Sequence, residues 1–467
     1  MIAIVESRAD RASVHVCEHL RDLADWEERE DESRPDAEGG GTYYRTDGAE
    51  LRTFDDLHIE LERPADAFER DPDLLVFASR HAGDTGALLT GHFTGNFGPA
   101  EYGGDDRALA KAAPNALVRL LEAFDTYAPE GYDVGMECTH HGPTEVGCPS
   151  LFAELGSGDE QWDDPAGAEA VARSILALHG VSPGRARTVV GFGGNHYVPR
   201  YERIVRETPW AVGHVASGWA LEDAGLGADD DADRRAALEE HETVIARAFA
   251  ASGAEHAVIE GTWPGLAETI ADLGYRVVSE TWLREVGDRS LEVVAAVESE
   301  LGRVDEGVRF GDRREEAFAV VDLPADLIDA AEGIDPDRVR ERLEAHAVAF
   351  ETENGASRVG GRAALPEGDG AGGEDDADED EDGPGALEAI VADLSAVLEE
   401  KYDDVRLEDG AVVAEVVGFD PELAREAGVP EGPKFGALAS GSAVEVDGET
   451  VAPEDVRSRR TERFPLS

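Results

Sequence analysis

The sequence predicts an α/β fold in which a mixed or mostly parallel sheet is flanked by helices. Short apolar runs typical of buried strands alternate with amphipathic segments of helical period over residues 1–285. Glycines, histidines and other polar residues directly follow several of these runs. Ligand sites of α/β proteins lie outside the ends of the strands, so this pattern also predicts a functional edge of the sheet.

The predicted elements follow from apolar period and from turn residues. Runs with a strand pattern are Ile2–Val5, Leu57–Leu61, Asp73–Ala78, Asp133–Thr139, Thr188–Phe192, Trp210–Ala216, His256–Glu260 and Tyr275–Thr281. Segments with one apolar helical face are Ser13–Leu23, Asn115–Tyr127, Pro165–Gly180, Ala232–Ala250 and Pro264–Leu273. Ser13 is the expected cap of the first helix, and Asp163 or Asp164 caps the third. The acidic, glycine-rich stretch before Glu50 is expected to be a loop with a strand start at Tyr43.

The character of the chain changes after residue 285. We expect a helical or mixed extension at 286–365, with helices at Leu291–Leu301 and Asp335–Phe350. An acidic linker at 366–385 is expected to be disordered, because a run such as EDDADEDED cannot pack. Residues 386–467 are expected to form a small α+β accessory module, with a helix at Ala386–Lys401 and short strands at Val412–Val417 and Ala443–Val446.

Acidic residues dominate the composition, with 103 Asp and Glu against 42 Lys and Arg and a net charge of −61. Such a surface is typical of a salt-rich cytoplasm, as in halophilic archaea, because hydrated cations relieve its self-repulsion. Molar salt shortens the Debye length to about 3 Å, so the global charge does not exclude a nucleic-acid partner. Three cysteines do not make a disulfide framework, and no stretch is long enough for a signal sequence or membrane span. These features predict a soluble cytoplasmic protein.

The densest group of chemically active residues is the stretch Gly135–Cys148, GMECTHHGPTEVGC. On a regular strand Cys138 and His140 would share one face, and Glu137, Thr139 and His141 the other. Adjacent histidines of a strand do not easily bind one metal ion, so the Gly142–Pro143 turn must re-aim one ring if both bind. Each histidine alone is equally well explained as a packed, hydrogen-bonded residue. The cluster as a whole favours a functional site.

Further histidines follow other predicted strands: His81, His92, His196 and His214. The motif before His196, GFGGNH, lacks the spacing of a dinucleotide-binding loop, and the chain contains no Walker lysine motif. Its glycines, Gly193 and Gly194, would let backbone amides approach a ligand. His81 and His92, taken singly, are more simply explained as ordinary loop histidines.

Five motifs occur together in the order FASRH (Phe77–His81), LLTGHFTGNFG (Leu88–Gly98), MECTHHGPTEVG (Met136–Gly147), GFGGNHYVPR (Gly191–Arg200) and Gly213–His214. In this combination residues 1–285 resemble the archaeal-type D-aminoacyl-tRNA deacylases. The resemblance implies that this region is the catalytic domain of a zinc-dependent hydrolase, which cleaves the ester joining a D-amino acid to the tRNA 3′ end. It also implies a phosphorylase/hydrolase-like α/β fold with likeness to peptidyl-tRNA hydrolases. It leaves the zinc ligands open.

Ester hydrolysis needs a water nucleophile, a group that deprotonates or polarises it, and stabilisation of the oxyanion. A catalytic Zn²⁺ takes three protein ligands and keeps one open position. The candidate ligands are His81, His140, His141, His196 and His214, with His92 as a further possibility. The candidate catalytic residues are Glu137, Thr139, His140, His141 and His196, with Glu145 as an alternative carboxylate. A metal-free reaction is also open, in which the ribose 2′-OH assists and histidines and Thr139 orient the substrate.

Candidate contacts to the D-aminoacyl-tRNA substrate are Asn96, Gly193, Gly194, Asn195 and Arg200, with the glycine amides expected at the oxyanion. Further arginines at 185, 187, 203 and 206 are candidate phosphate contacts, although ion pairs with surface carboxylates explain each equally well. Tyr197, Tyr201 or Phe97 could stack on the terminal adenosine. We expect a monomer with no obligate protein partner and no membrane association. Competing functions are a small-molecule phosphorylase or nucleosidase on the same fold and a non-catalytic RNA-binding protein, against which the histidine clusters count.

Overall fold

The computed structural model describes residues 1–367 and 385–466, which belong to two compact units, Met1–Gly287 and Asp288–Ser467. Most of the acidic linker predicted at 366–385 lies outside the described residues. Within the described ranges no helix is both long and apolar enough to cross a membrane.

The first unit contains an eight-stranded mixed sheet in the order β2-β3-β4-β1-β5-β8-β6-β7. Its strands are β1 (Ile2–Ser7), β2 (Glu27–Asp31), β3 (Gly41–Thr46), β4 (Ala49–Phe54), β5 (Leu74–Arg80), β6 (Leu88–His92), β7 (Asp133–Met136) and β8 (Ser150–Gly156). The pairs β4–β1, β1–β5, β5–β8 and β6–β7 are parallel, whereas β2–β3, β3–β4 and β8–β6 are antiparallel. The predicted α/β class with a mixed, mostly parallel sheet is therefore confirmed.

A second sheet of the same unit has four parallel strands in the order β10-β9-β11-β12. The alternating sequence pattern predicts a single sheet, so the division into two sheets is a difference from the prediction. These strands are β9 (Thr188–Phe192), β10 (Ala211–Ala216), β11 (His256–Ile259) and β12 (Arg276–Val277). All residues of β9 and β10 are buried, which explains their continuous apolar sequences.

Helices of the first unit cover the two sheets: α1 (Arg11–Leu23), α2 (Pro114–Tyr127), α3 (Asp159–Trp162), α4 (Pro165–Leu176), α5 (Pro199–Glu207), α6 (Gly218–Asp223), α7 (Asp231–Ser252), α8 (Leu266–Asp272) and α9 (Glu280–Glu285). Asp10 caps α1 by accepting hydrogen bonds from the N–H groups of Ala12 and Ser13, so the expectation that Ser13 is the cap is wrong. Asp164 caps α4, and Pro165 occupies its first turn as expected.

Three local predictions differ from the structure. Leu57–Leu61 is not a strand but contains the short 3₁₀ helix His58–Glu60, and the expected loop before Glu50 contains β2. The strand start expected at Tyr43 is confirmed by β3. The central strand β8 was missed altogether. Its seven residues SLFAELG are all buried, but Glu154 interrupts the apolar pattern. A buried carboxylate in a central strand is costly unless the fold supplies partners for it, so the sequence alone gave no strand signal here.

The second unit contains an antiparallel sheet in the order β13-β15-β16-β14, a three-stranded sheet β17-β18-β21 and the hairpin β19-β20. Its strands are β13 (Val308–Phe310), β14 (Phe318–Asp322), β15 (Ala349–Glu353), β16 (Arg358–Pro366), β17 (Asp404–Glu408), β18 (Ala411–Phe419), β19 (Val444–Val446), β20 (Glu449–Val451) and β21 (Arg457–Pro465). Its helices are α10 (Leu291–Glu300), α11 (Ala325–Glu332), α12 (Pro336–His346), α13 (Ala386–Leu398), α14 (Pro421–Glu426) and α15 (Pro433–Ala439).

One hydrophobic core joins the two parts of the second unit that flank residues 368–384. Leu327 and Phe350, before that segment, belong to the same cluster as Ile390, Leu394 and Phe464, after it. Burial of apolar surface is the main stabilising term in folding. We therefore expect α13 to stabilise the whole second unit.

Replacing Leu394 by alanine tests this expectation. Leu394 is fully buried, so Leu394→Ala should lower the free energy of unfolding of the second unit by about 2–5 kcal/mol. Leu407, which is 67% exposed on β17, provides the control. Leu407→Ala should change the free energy of unfolding by less than about 0.5 kcal/mol. Amide hydrogen exchange of α13 and β18 at constant molar KCl measures both. Equal protection in the two variants would contradict the shared core.

Candidate active site

The backbone after β7 crosses from the first sheet to the second. The N–H groups of residues 137, 138 and 139 each donate to a different element: to Gly91 O in β6 at 3.2 Å, to His196 O after β9 at 2.9 Å, and to Val215 O in β10 at 2.9 Å. This crossing places the Glu137–His141 stretch between the histidines that follow β6 and β9. Side chains from distant parts of the sequence therefore meet at one edge.

The two adjacent histidines lie in a turn rather than on a regular strand. His141 has a left-handed backbone with φ of 44°, a conformation that is unusual for a non-glycine residue. The ring of His140 donates from Nδ1 to Cys138 O at 2.9 Å, and the ring of His141 donates from Nδ1 to Gly142 O at 2.7 Å. The ring centroids are 4.4 Å apart, so the turn re-aims one ring toward the other.

His92, at the end of β6, completes a group of three histidines. Its ring centroid is 4.3 Å from that of His140 and 4.9 Å from that of His141, and ligand nitrogens of the three rings lie within 4.8 Å of one another. Nδ1 of His92 bonds to Phe93 O at 3.1 Å. Its Nε2 is buried 3.5 Å from Glu154 Oε1 and has no hydrogen-bond partner among the described residues.

This trio has the chemistry of a metal site. In each ring a backbone carbonyl engages Nδ1, which leaves Nε2 as the free lone pair, the usual orientation of a metal-ligating histidine. Burial lowers the pKa of His140 and lowers that of His141 to about 3, which keeps both imidazoles neutral. Burial also opposes protonation of His92, but the Glu154 carboxylate outweighs it and raises this pKa. Three imidazole nitrogens suit Zn²⁺, and binding of the ion would release the proton that Glu154 favours on His92.

A second group consists of Glu137, His81 and His196, whose ligand atoms also lie within 4.8 Å of one another. His196 Nε2 lies 2.7 Å from Glu137 Oε2, and its Nδ1 is 3.7 Å from Cys138 Sγ. Contacts with Cys138 and Glu137 raise the pKa of His196 to about 10. Burial raises the pKa of Glu137, but the hydrogen bond to His196 and the neighbouring histidines outweigh it and lower this pKa. The pair is therefore an imidazolium next to a carboxylate.

His140 and His141 of the first group and all three residues of the second line one cavity of about 400 Å³ that also contains Asp10, Arg80 and Glu154. Glu137 Oε1 is buried 3.8 Å from His81 Nε2 and has no hydrogen-bond partner in the described part of the chain. Glu154 is not among the site residues predicted from the sequence. Burial raises the pKa of its carboxyl group to about 7. In the sequence Glu154 is recognisable only as a single charged residue inside an otherwise apolar run.

His214 and Thr139 lie outside these groups and brace the crossing backbone. His214 is fully buried, with Nδ1 3.0 Å from Thr139 Oγ1 and Nε2 2.8 Å from Ala110 O. Both ring nitrogens are engaged, so His214 belongs to neither metal-binding group. This differs from the expectation that His214 is a zinc ligand. Thr139 Oγ1 also accepts a hydrogen bond from Val215 N, which occupies the hydroxyl that was expected to act in catalysis.

The glycine loop after β9 is engaged in backbone contacts. Gly193 N donates to Ala216 O at 2.7 Å, so this amide is not free for the oxyanion that we expected it to bind. Gly194 O accepts from Gly218 N at 2.7 Å, and a Cβ at Gly193 would meet Glu260 O at 1.9 Å. The glycines therefore allow close packing of two loops.

The other expected substrate contacts are held by the protein itself. Asn195 Oδ1 accepts from the N–H groups of Tyr197 and Val198 at the start of α5, and Asn96 Nδ2 donates to the carbonyls of Gly103 and Asp105. Arg200 donates to Ile259 O at 2.9 Å and lies 3.5 Å from Glu280. These side chains fix the loops around the cavity.

The candidate phosphate and stacking residues have similar roles. Arg203 pairs with Glu280, and Arg206 pairs with Glu202 and Asp125. Arg185 bonds to Asn115 and to Pro209 O. The rings of Tyr201 and Phe97 are buried, whereas Tyr197 is partly exposed with its hydroxyl 3.4 Å from His81 Nε2.

Comparison with known proteins gives consistent matches. A family model described as D-aminoacyl-tRNA deacylase matches residues 68–278. The D-aminoacyl-tRNA deacylase of Natronomonas pharaonis is 54% identical over 99% of this chain and 100% of the relative, and that of Halorubrum lacusprofundi is 52% identical over 100% and 97%. The crystal structure of a conserved protein of unknown function is 26% identical, with a TM-score of 0.52 over 61% of this chain and 96% of that one. The two relatives thus match the second unit as well as the first.

The His92 trio predicts a specific loss of metal. His92→Ala should lower the affinity for Zn²⁺ by about 100-fold or more, because even residues that only orient a ligand contribute 10- to 100-fold. His19, which lies on α1 and belongs to neither candidate group, provides the control, and His19→Ala should bind zinc like the wild type. Elemental analysis and competition with a chromogenic chelator measure both. An undiminished affinity in His92→Ala would refute the trio as the site.

Proposed function

This chain belongs to the D-aminoacyl-tRNA deacylase family, and we infer that it hydrolyses the ester of D-aminoacyl-tRNA, releasing a free D-amino acid and tRNA. The observation that carries the proposal is the convergence of four candidate histidines and Glu137 in one cavity, with the ring of His92 next to two of those histidines. Full-length identity of up to 54% to deacylases supports it. Family membership favours this hydrolase over a small-molecule phosphorylase or a non-catalytic RNA-binding protein.

We assign the metal to His92, His140 and His141. The buried, unpartnered Nε2 of His92 supports this choice, because burying a polar atom without a partner is costly. A zinc ion bound there would act as a Lewis acid and lower the pKa of a water molecule to about 7. In this assignment His81 and His196 serve Glu137, and His214 has a structural role.

Glu137 and His196 together supply the proton transfers. Glu137 Oε1 is the free acceptor that orients the attacking water and takes its proton. The His196 side chain is 36% exposed and passes a proton to the leaving ribose oxygen. The 2.7 Å contact between the two side chains then returns the proton from Glu137 to His196.

The finer fold and the setting of the enzyme are also proposals. The mixed sheet with helices on its faces supports a phosphorylase/hydrolase-like arrangement of the first unit. The relatives come from halophilic archaea, which agrees with the charge of −61. We place the enzyme in the cytoplasm, where charged tRNA is used, and propose that it acts as a monomer.

Metal removal distinguishes the zinc scheme from the metal-free alternative. Exhaustive chelation should abolish deacylation of D-tyrosyl-tRNA at molar KCl, and added Zn²⁺ should restore it, because the Lewis acid is lost and regained. L-tyrosyl-tRNA in parallel reports on selectivity for the D-ester. Full activity of a zinc-free enzyme would instead support assistance by the ribose 2′-OH.

Two glutamates of the same stretch form a matched pair for the proton-transfer proposal. Glu137→Gln should lower kcat by about 100-fold or more with little change in KM, because the amide cannot accept a proton. The Glu145 side chain is 68% exposed beside Arg63, so Glu145→Gln should retain wild-type kcat. Steady-state deacylation of D-tyrosyl-tRNA gives both constants. Equal kcat values for the two variants would exclude Glu137 as the base.

A further inference from the structure

A second cavity of about 440 Å³ adjoins the catalytic one and shares His140, His141, His196 and Tyr102 with it. Its distinctive side chains are aromatic and exposed. Tyr102 is 67% exposed and Trp219 is 48% exposed, and both line this cavity. They are two of the five large apolar side chains exposed within the described ranges. Exposed apolar groups concentrated in one cavity mark a binding site.

Both aromatic residues are fixed to the turns that carry the histidines. Tyr102 O accepts a hydrogen bond from Gly142 N at 2.9 Å, directly after His141. Gly218, which precedes Trp219, donates to Gly194 O at 2.7 Å, two residues before His196. The backbone at each aromatic residue is therefore anchored to a turn of the catalytic cluster, which places both rings beside the histidines.

We propose that Tyr102 and Trp219 bind the adenine of the terminal adenosine of tRNA. The inference rests on the proposed function and names the part of the substrate that occupies the second cavity. The ester has two sides, and the histidines shared by both cavities lie between them. The catalytic cavity contains Glu154, a carboxylate without a role in the proposed proton transfers, which suits the cationic α-amino group of the amino acid. The aromatic cavity suits a flat, neutral base, and bases stack on aromatic rings regardless of tRNA identity.

Salt favours this mode of recognition over phosphate contacts. The chain has a net charge of −61, and Arg200, Arg203 and Arg206 are committed to carboxylates. Phosphate contacts also weaken steeply as salt rises. Stacking involves no counterion release, so the terminal base can be held at molar KCl.

Two ester substrates test the proposal: 3′-O-(D-tyrosyl)adenosine, which has the base, and D-tyrosine methyl ester, which lacks it. The wild type should prefer the adenosine ester in kcat/KM by about tenfold or more. Trp219→Ala and Tyr102→Ala should each lose most of that preference through a higher KM for the adenosine ester. Trp219→Phe should restore it, because phenylalanine also stacks. Tyr127, 41% exposed at the end of α2, provides the control, and Tyr127→Ala should keep the wild-type ratio.

The ratio of the two substrates separates the possible outcomes, because partial misfolding lowers both rates alike. An unchanged preference in both alanine variants would refute the adenine site and leave the deacylase reaction intact. An equal rise in KM for both esters, with kcat unchanged, would refute the adenine site and place the amino-acid side chain between the rings. A wild type that hydrolyses neither D-tyrosyl-tRNA nor the adenosine ester would overturn the proposed function and the adenine site with it.

Discussion

The crossing of residues 137–139 between the two sheets is the constraint on which the site depends. Three consecutive N–H groups donate to β6, to the loop after β9 and to β10. Consecutive residues of a strand normally bond to the same neighbours, so this pattern fixes the relative positions of three elements. His92, the His140–His141 pair and His196 are all attached to the elements joined there. A shift of the crossing would therefore move these four histidines relative to one another.

The buried charges of the cavity are stable because they are arranged in pairs. Glu137 contacts His196 at 2.7 Å, and Glu154 lies 3.5 Å from His92, which reduces the cost of removing two carboxylates from water. The same pairing explains why β8 carries a glutamate at its centre. In the two candidate metal groups, His92 Nε2 and Glu137 Oε1 are buried without a hydrogen-bond partner among the described residues, and they are the atoms assigned to metal and water. The site thus keeps these two polar atoms available for the metal and the water that the reaction requires.

The many acidic residues of the chain form ion pairs with its cationic side chains. Arg203 and Arg206 form ion pairs with carboxylates around α5, and Arg200 also bonds to a backbone carbonyl. In a protein with 103 acidic residues these three arginines have carboxylates nearby, so they serve the fold. Recognition of a polyanionic substrate then depends on contacts other than ion pairs, and the aromatic cavity beside the histidines offers such contacts.

The sequence by itself determined the α/β class, most buried strands, the family and the stretch that carries the site, because local periodicity and motif order encode them. It did not identify β8, since Glu154 breaks a pattern that only a partner on β6 makes tolerable. It also did not distinguish His92 from His214, since both are buried histidines next to a strand. The tertiary structure decided that point: Ala110 O and Thr139 engage both nitrogens of His214, whereas Phe93 O engages only one of His92. The number of free lone pairs on a buried ring depends on partners far away in the sequence, and no local pattern records them.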